Sequence, residues 1–210
     1  MRCLVPFAAD TPKSRLAPVL SATERRSFAV AMLGDVLDAV DATNHAPTVV
    51  STAPISDDRL PGHADIEVDD RELTAAVNAR LADGTPTLVL MADLPLVEPA
   101  DIQRLVDSEA DVTIAPGLGG GTNALAVREP AFRVDYHGAS YLDHRRVAAD
   151  LDLSVETVDS RRLATDVDEP ADLAEVLIHG RGAAHEWLDE AGFELDTTGG
   201  RVGVSRSVDE

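Results

Sequence analysis

The stretch Thr87-Leu88-Val89-Leu90-Met91-Ala92-Asp93-Leu94-Pro95-Leu96 decides how this chain of 210 residues folds. Thr87 to Met91 is apolar without polar alternation, the pattern of a strand covered on both faces in a parallel sheet. Such a strand is central. Asp93 follows it directly, and in open parallel sheets ligands sit outside the carboxyl ends of the strands. A carboxylate at that address faces the crevice, and Pro95 restricts the backbone beyond it. Magnesium takes one or two carboxylates plus substrate phosphates, so Asp93 is a candidate metal ligand. The plainer alternative is a helix cap or loop acid.

Outward from this stretch the chain keeps a β-α-β rhythm. Cys3–Phe7 reads as a buried first strand running into the loop Ala8-Ala9-Asp10-Thr11-Pro12. Ser21 and Glu24 have capping-box spacing, and Phe28, Met32, Leu33, Val36, Leu37 and Val40 then recur on one helical face. Thr48–Ser51 and Ile66–Val68 read as strands, and Leu73, Ala76, Val77 and Leu81 as one face of a helix. Ile102–Val106 continues as helix, Val112–Ala115 and Asn123–Val127 as strands, and Ser140–Ala149, Pro170–Ile178 and Ala183–Glu190 as helices. The class is a doubly wound α/β domain over residues 1–196. Residues 197–210, rich in Gly, Ser and Asp, read as a loosely held tail.

Composition narrows the function. A chain with 44% apolar residues can bury roughly 70% of its unfolded surface at this length and needs no staple. Its single cysteine, Cys3, cannot form an intrachain bridge. No leader and no membrane-length apolar run is visible, so a cytoplasmic enzyme or binding protein is expected. Thirty-eight acidic against eighteen basic residues give a net charge of -20, which disfavours nucleic acid and membrane as partners. The acids are spread along the chain, which describes an acidic surface suited to a salty cytoplasm, where self-repulsion is screened. Every basic residue is arginine except Lys13, whose compact ammonium is a different shape from a guanidinium fork.

Four further places fall just beyond strands or beside turns. Thr11-Pro12-Lys13-Ser14-Arg15-Leu16 reads either as a phosphate-gripping loop or as a solvated one. Asp166-Val167-Asp168 sets two carboxylates on one side of an extended segment. Their repulsion is relieved by a cation, although Asp150-Leu151-Asp152 repeats the spacing in an acidic chain. Pro116-Gly117-Leu118-Gly119-Gly120-Gly121-Thr122-Asn123 offers backbone N–H groups to an anion, or is a plain turn. It matches neither a Walker A loop nor GxGxxG. Tyr136-His137-Gly138-Ala139-Ser140 precedes a helix whose first amides favour an anion, and Ser140 is equally suited to capping it. His137 and His144 lack zinc-ligand spacing.

Taken in order, Leu4-Val5-Pro6, Lys13-Ser14-Arg15-Leu16, Ala92-Asp93-Leu94-Pro95-Leu96, Gly120-Gly121-Thr122-Asn123, Gly138-Ala139-Ser140 with His144, and Asp166-Val167-Asp168-Glu169-Pro170 with Asp172-Leu173 resemble the 2-phospho-L-lactate guanylyltransferase family. The resemblance implies a single-domain, Rossmann-like, GT-A-type nucleotidyltransferase fold, a mostly parallel sheet with helices on both faces. It also implies transfer of GMP from GTP to 2-phospho-L-lactate or phosphoenolpyruvate, in coenzyme F420 biosynthesis, with Mg2+ and a homodimer. By the same resemblance Lys13 and Asp93 are catalytic. Pro6, Lys13, Ser14, Arg15 and Leu73 bind the nucleotide, and Thr122, His137, Gly138 and Ser140 the phosphorylated three-carbon acid. Asp93, Asp166 and Asp168 hold the metal. Two positions depart from the family's usual pattern: His137, where glycine is frequent, and Thr74 after Leu73, where asparagine is common.

The rival readings are another nucleotidyltransferase of this fold, of molybdenum-cofactor or sugar-phosphate type, and a non-catalytic nucleotide-binding regulator. A glycine-rich loop after the first strand is expected of the former, and this chain has Ala8-Ala9-Asp10-Thr11-Pro12 there. Loss of acidic site residues is expected of the latter, and all three aspartates are present.

Overall fold

A computed structural model describes residues 1–10, 12–55, 60, 64–200 and 202–207. In chain order the strands are β1 Arg2–Phe7, β2 Pro47–Ser51, β3 Asp65–Val68, β4 Thr87–Leu90, β5 Val112–Pro116, β6 Thr122–Val127, β7 Val155–Thr157, β8 Phe193–Asp196 and β9 Gly203–Arg206. The helices are α1 Ala22–Asp41, α2 Leu73–Leu81, α3 Pro99–Asp107, α4 Ser140–Asp150, α5 Arg161–Ala164, α6 Leu173–His179 and α7 Ala183–Glu190. The main sheet runs β3-β2-β1-β4-β6-β5-β7, with β4 at its centre.

Each face of this sheet is covered because successive strand residues point to opposite sides. Cys3, Val5 and Phe7 enter the core beneath α1, α3, α6 and α7, while Leu4 turns to the other face and meets Val50 and Ala76 of α2. On that second face Val77, Val89, Leu125 and Ala148 of α4 close a separate core. Helix α1 begins where the sequence places it: the Glu24 N–H donates to the Ser21 hydroxyl, and the Ser21 N–H to the Glu24 carboxylate at 2.8 Å. Such a reciprocal cap satisfies two amides that the first turn otherwise leaves unpaired.

One strand departs from the expected rhythm. β6 runs antiparallel to both of its neighbours, β4 and β5. A parallel return needs a crossover of a dozen or more residues, and only the short glycine turn separates β5 from β6, so the chain doubles straight back. This reversal puts Thr122 and Asn123, at the start of β6, at the same sheet end as the carboxyl ends of β1 and β4. Two short elements, β7 and α5, carry too few apolar residues to register as periodic.

The C-terminal reading also needs correction. Gly203–Arg206 pairs with Phe193–Asp196 as an antiparallel ribbon. Arg206 pins it by donating to Glu24 at 2.6 Å and to the Ala191 carbonyl at 2.8 Å, and its guanidinium lies 5.1 Å from the Phe193 ring centre. The segment is polar in composition, yet ladder hydrogen bonds and one arginine hold it. Thr11 of the first loop, and Arg201, Val208, Asp209 and Glu210 of the tail, lie outside the described residues. No helix among the described residues is long and apolar enough to cross a membrane.

Candidate active site

The loop after β4 and the Asp166–Asp168 segment meet because the Val167 N–H donates to the Asp93 carbonyl at 3.1 Å. Val167 itself is buried in the main core, so the alternation that buries it turns Asp166 and Asp168 away from that core. Asp172, in the 3-10 turn ahead of α6, accepts the N–H of Asp168 at 3.0 Å and of Glu169 at 2.7 Å, fixing the segment from behind.

Lys13 crosses from the first loop to this junction. Its backbone is left-handed, φ 54° and ψ 46°, and it caps the 3-10 turn Ser14–Leu16. That conformation costs a non-glycine residue about 1 kcal/mol or more, and it delivers the ammonium to two carboxylates. Nζ donates to Asp93 Oδ2 at 2.5 Å and to Asp168 Oδ1 at 2.7 Å. Burial of the ammonium works to lower its pKa, but the Asp93 and Asp168 charges prevail and hold it above the ordinary lysine value. Arg15 reaches Asp168 Oδ2 at 3.4 Å from the solvent side.

Asp166 stands slightly apart. Asn123 donates to Asp166 Oδ1 and to the Leu163 carbonyl, both at 2.9 Å, joining the reversed strand to the acidic segment. Burial is the main cause lifting the Asp166 carboxyl above its usual range, opposed by the Asn123 hydrogen bond and reinforced by the charges of Asp93 and Asp168.

Among the described residues no three His, Cys, Asp or Glu side chains are grouped closely enough to cage a metal. The three aspartates are therefore not a ready-made ligand set: Lys13 bridges two of them and Asn123 holds the third. Asp93 Oδ1 is nonetheless buried without a hydrogen-bond partner. An orphaned buried carboxylate oxygen beside a second carboxylate fits a hard cation that completes its shell with water and substrate oxygens.

A cleft of about 620 Å³ opens from this junction along β1 and β4 toward α2. Pro6, Lys13, Ser14, Arg15, Leu73, Asp93 and Asp168 all line it, bringing the expected nucleotide residues together. Asp69, Asp70, Arg71 and Glu72 form its far wall. There Arg71 and Arg80 both donate to Asp69 Oδ2 at 2.6 Å, and Arg71 Nε donates to Asp69 Oδ1 at 2.8 Å.

Asp166, Thr122, His137, Gly138 and Ser140 are not among the residues lining that cleft. The last four belong to a second region, where the glycine turn meets the start of α4 and the Tyr141 N–H donates to the Gly120 carbonyl at 3.2 Å. Gly120 and Gly138 both have positive φ, 83° and 52°, which glycine adopts without steric cost. Ser140 is the first residue of α4 and is buried; Ala139 occupies the cap position and makes no side-chain cap bond, so the capping role considered for Ser140 is not the one it has. His137 is exposed, and its ring pairs with Asp135 at 2.5 Å, a hydrogen bond that raises its pKa.

Sequence reasoning gave no role to Asn123, Asp172 or His144. Asn123 follows Thr122 in the glycine block, and His144 stands four residues after Ser140 on one helical face; those spacings, and the place of all three residues in the blocks that carry the family resemblance, are the signal. His144 Nδ1 lies 2.9 Å from Thr122 Oγ1, and the Asp135 N–H donates to its Nε2 at 2.9 Å.

A mostly parallel sheet with a lysine held between two carboxylates and a cleft at its carboxyl edge fits the class of nucleotide-handling α/β transferases. The chain matches, over residues 1–207, the family described as guanylyl transferase CofC like. Among curated proteins it is 58% identical to the 2-phospho-L-lactate guanylyltransferase of Haloarcula marismortui, over 98% of this chain and 99% of that one. It is 45% identical to the protein of the same name from Methanocorpusculum labreanum, over 99% and 97% of the two chains. In fold it is similar to a putative nucleotide-diphospho-sugar transferase from Desulfovibrio desulfuricans G20, with a TM-score of 0.74 and 16% identity, covering 90% of this chain and 95% of that one. The chain belongs to the CofC-like guanylyl transferase family, and it is a nucleotidyltransferase.

Proposed function

We propose that the protein transfers GMP from GTP to 2-phospho-L-lactate, or to phosphoenolpyruvate, within the assembly of coenzyme F420. A phosphate oxygen of the acid attacks the α-phosphorus of GTP, a new P–O bond forms, the bond to the β-phosphate bridge breaks, and pyrophosphate leaves. The observation that carries this reading is the Lys13 ammonium held between Asp93 and Asp168 at the mouth of a nucleotide-sized cleft.

Phosphoryl transfer of this type asks for positioning and neutralisation more than for covalent work by the protein. Lys13 and Arg15 present cationic donors to the GTP phosphates. Pro6, Ser14 and Leu73 shape the cleft around the nucleotide. Thr122, the backbone at His137 and Gly138, and Ser140 orient the acid. Asp93, with Asp166 and Asp168, would hold Mg2+, which when bound supplies charge neutralisation at the transferring phosphate. In a chain of net charge -20, that cation and Lys13 together invert the local field for two anionic substrates. We further infer a cytoplasmic homodimer working at high salt, from the family resemblance and the acidic composition.

The test is pyrophosphate release by the purified protein in concentrated potassium chloride with magnesium chloride, across a panel of nucleotides and phosphorylated three-carbon acids. Turnover with GTP and one of the two acids is expected. Nucleotide binding without pyrophosphate would favour the regulator, and preference for a sugar phosphate the neighbouring transferase class.

A further inference from the structure

The residue that prepares the acid subsite lies behind it. His144 is fully buried, with Tyr136 edge-on at 5.0 Å and 86° and Phe132 at 6.1 Å between ring centres. This packing leaves the imidazole one plane and two neighbours. On one side the Asp135 backbone N–H points at Nε2 from 2.9 Å. A backbone amide can only donate, so Nε2 must carry the lone pair. A neutral ring then has its proton on Nδ1, and Nδ1 stands 2.9 Å from Thr122 Oγ1. The threonine oxygen therefore accepts.

Resting on the proposed assignment of Thr122 to the acid, we infer that His144 is a positioning residue: through its Nδ1 proton it fixes the Thr122 hydroxyl as a hydrogen-bond donor to the anionic three-carbon substrate. His144 is the hydrogen-bond partner that the described residues give Thr122 Oγ1. With a lone pair of that oxygen occupied, its own proton is left for a ligand. Thr122 is buried at the start of β6, at the crevice end of the sheet, where an unpartnered donor is well matched to a carboxylate or phosphate oxygen. An alternative tautomer would make the hydroxyl donate inward and turn its lone pairs on the substrate, which an anion would reject. Burial keeps the ring neutral, drawing its pKa down to about 4, so the arrangement persists at neutral pH.

Two measurements test this. Nitrogen NMR of the imidazole in the folded wild-type protein should show a neutral ring protonated on Nδ1; a proton on Nε2 overturns the proposal and requires no variant. Steady-state kinetics should show His144→Phe raising KM for the acid about 10- to 100-fold, the worth of one hydrogen bond to a charged group, with KM for GTP nearly unchanged. His144→Gln, which keeps a donor and an acceptor, should recover most of that loss. In a Thr122→Val background His144→Phe should add nothing further. An unchanged acid KM in His144→Phe, or full additivity with Thr122→Val, overturns the inference while leaving the wild-type activity standing. A wild-type protein that turns over neither acid removes the proposed function itself, and this inference with it.

Discussion

Replacing Lys13 with methionine keeps the apolar stem and deletes the charge that joins Asp93 to Asp168. In the free protein Asp93 then has one oxygen that never had a partner and a second that has lost it. Breaking a fully buried ion pair from one side costs about 3–5 kcal/mol. Here Lys13 is 11% exposed, but Asp93 is 25% and Asp168 41% exposed, so water repairs part of the loss and about 2 kcal/mol is expected. For a chain of this size that lowers the melting temperature by about 4–8 °C. Thermal unfolding followed by circular dichroism in concentrated potassium chloride reads this directly. Adding magnesium chloride should narrow the gap between the two proteins, because a divalent cation relieves the same carboxylates. Use of GTP should suffer separately, with kcat/KM down at least about 10-fold from the lost charge-assisted contact to phosphate. Unchanged melting together with unchanged GTP kinetics refutes the reasoning.

The remaining predictions concern the site, its support and the solvent. Asp93→Asn should abolish pyrophosphate release while circular dichroism stays native, and normal turnover would discard Asp93 as the central carboxylate. Burial depresses the His144 pKa from 6.5 to about 4, so the unfolded chain binds the extra proton first. Stability from this group is complete above pH 6.5 and is lost as pH falls toward 4, by about 3 kcal/mol in all. Urea titrations of wild type and His144→Gln across that window should diverge; parallel curves would argue against it. Ser21→Ala removes half of the reciprocal cap on α1 and should cost about 1 kcal/mol, read as a lower urea midpoint at constant m. With a charge of -20, the melting temperature should climb with potassium chloride; equal stability in dilute buffer would dismiss the high-salt reading.

Much of this was legible in the sequence where a local rule governs. The unalternating run before Asp93 marked the central strand, and Ser21 with Glu24 marked the start of α1. The gathering of Lys13, Arg15 and Asp93 at one cleft was equally legible, because they sit in loops beside β1 and β4, and those strands are adjacent in the sheet. What escaped depends on pairings across long stretches of chain. The direction of β6 follows from the length of its turn, not from its apolar pattern. The Val167 to Asp93 backbone bond, which brings the acidic segments together, has no signature in either segment. The sequence set His144 aside because it lacks zinc-ligand spacing, and only its hydrogen-bond partners, Asp135 and Thr122, reveal what its two nitrogens do. The ribbon at the C-terminus was missed because its strands are short and polar.

The reversed strand builds the crevice end of the sheet from two separate parts of the chain. One is the parallel half before Asp93, which carries the wall we propose for the nucleotide. The other is the hairpin with α4, which carries the region we propose for the acceptor. A change in the turn from Gly117 to Gly121 therefore leaves the β1–β2–β4 hydrogen-bond ladder untouched. On the proposed assignment, swapping that hairpin and the first turn of α4 between relatives should exchange one small acid for another while the guanylyl donor stays the same.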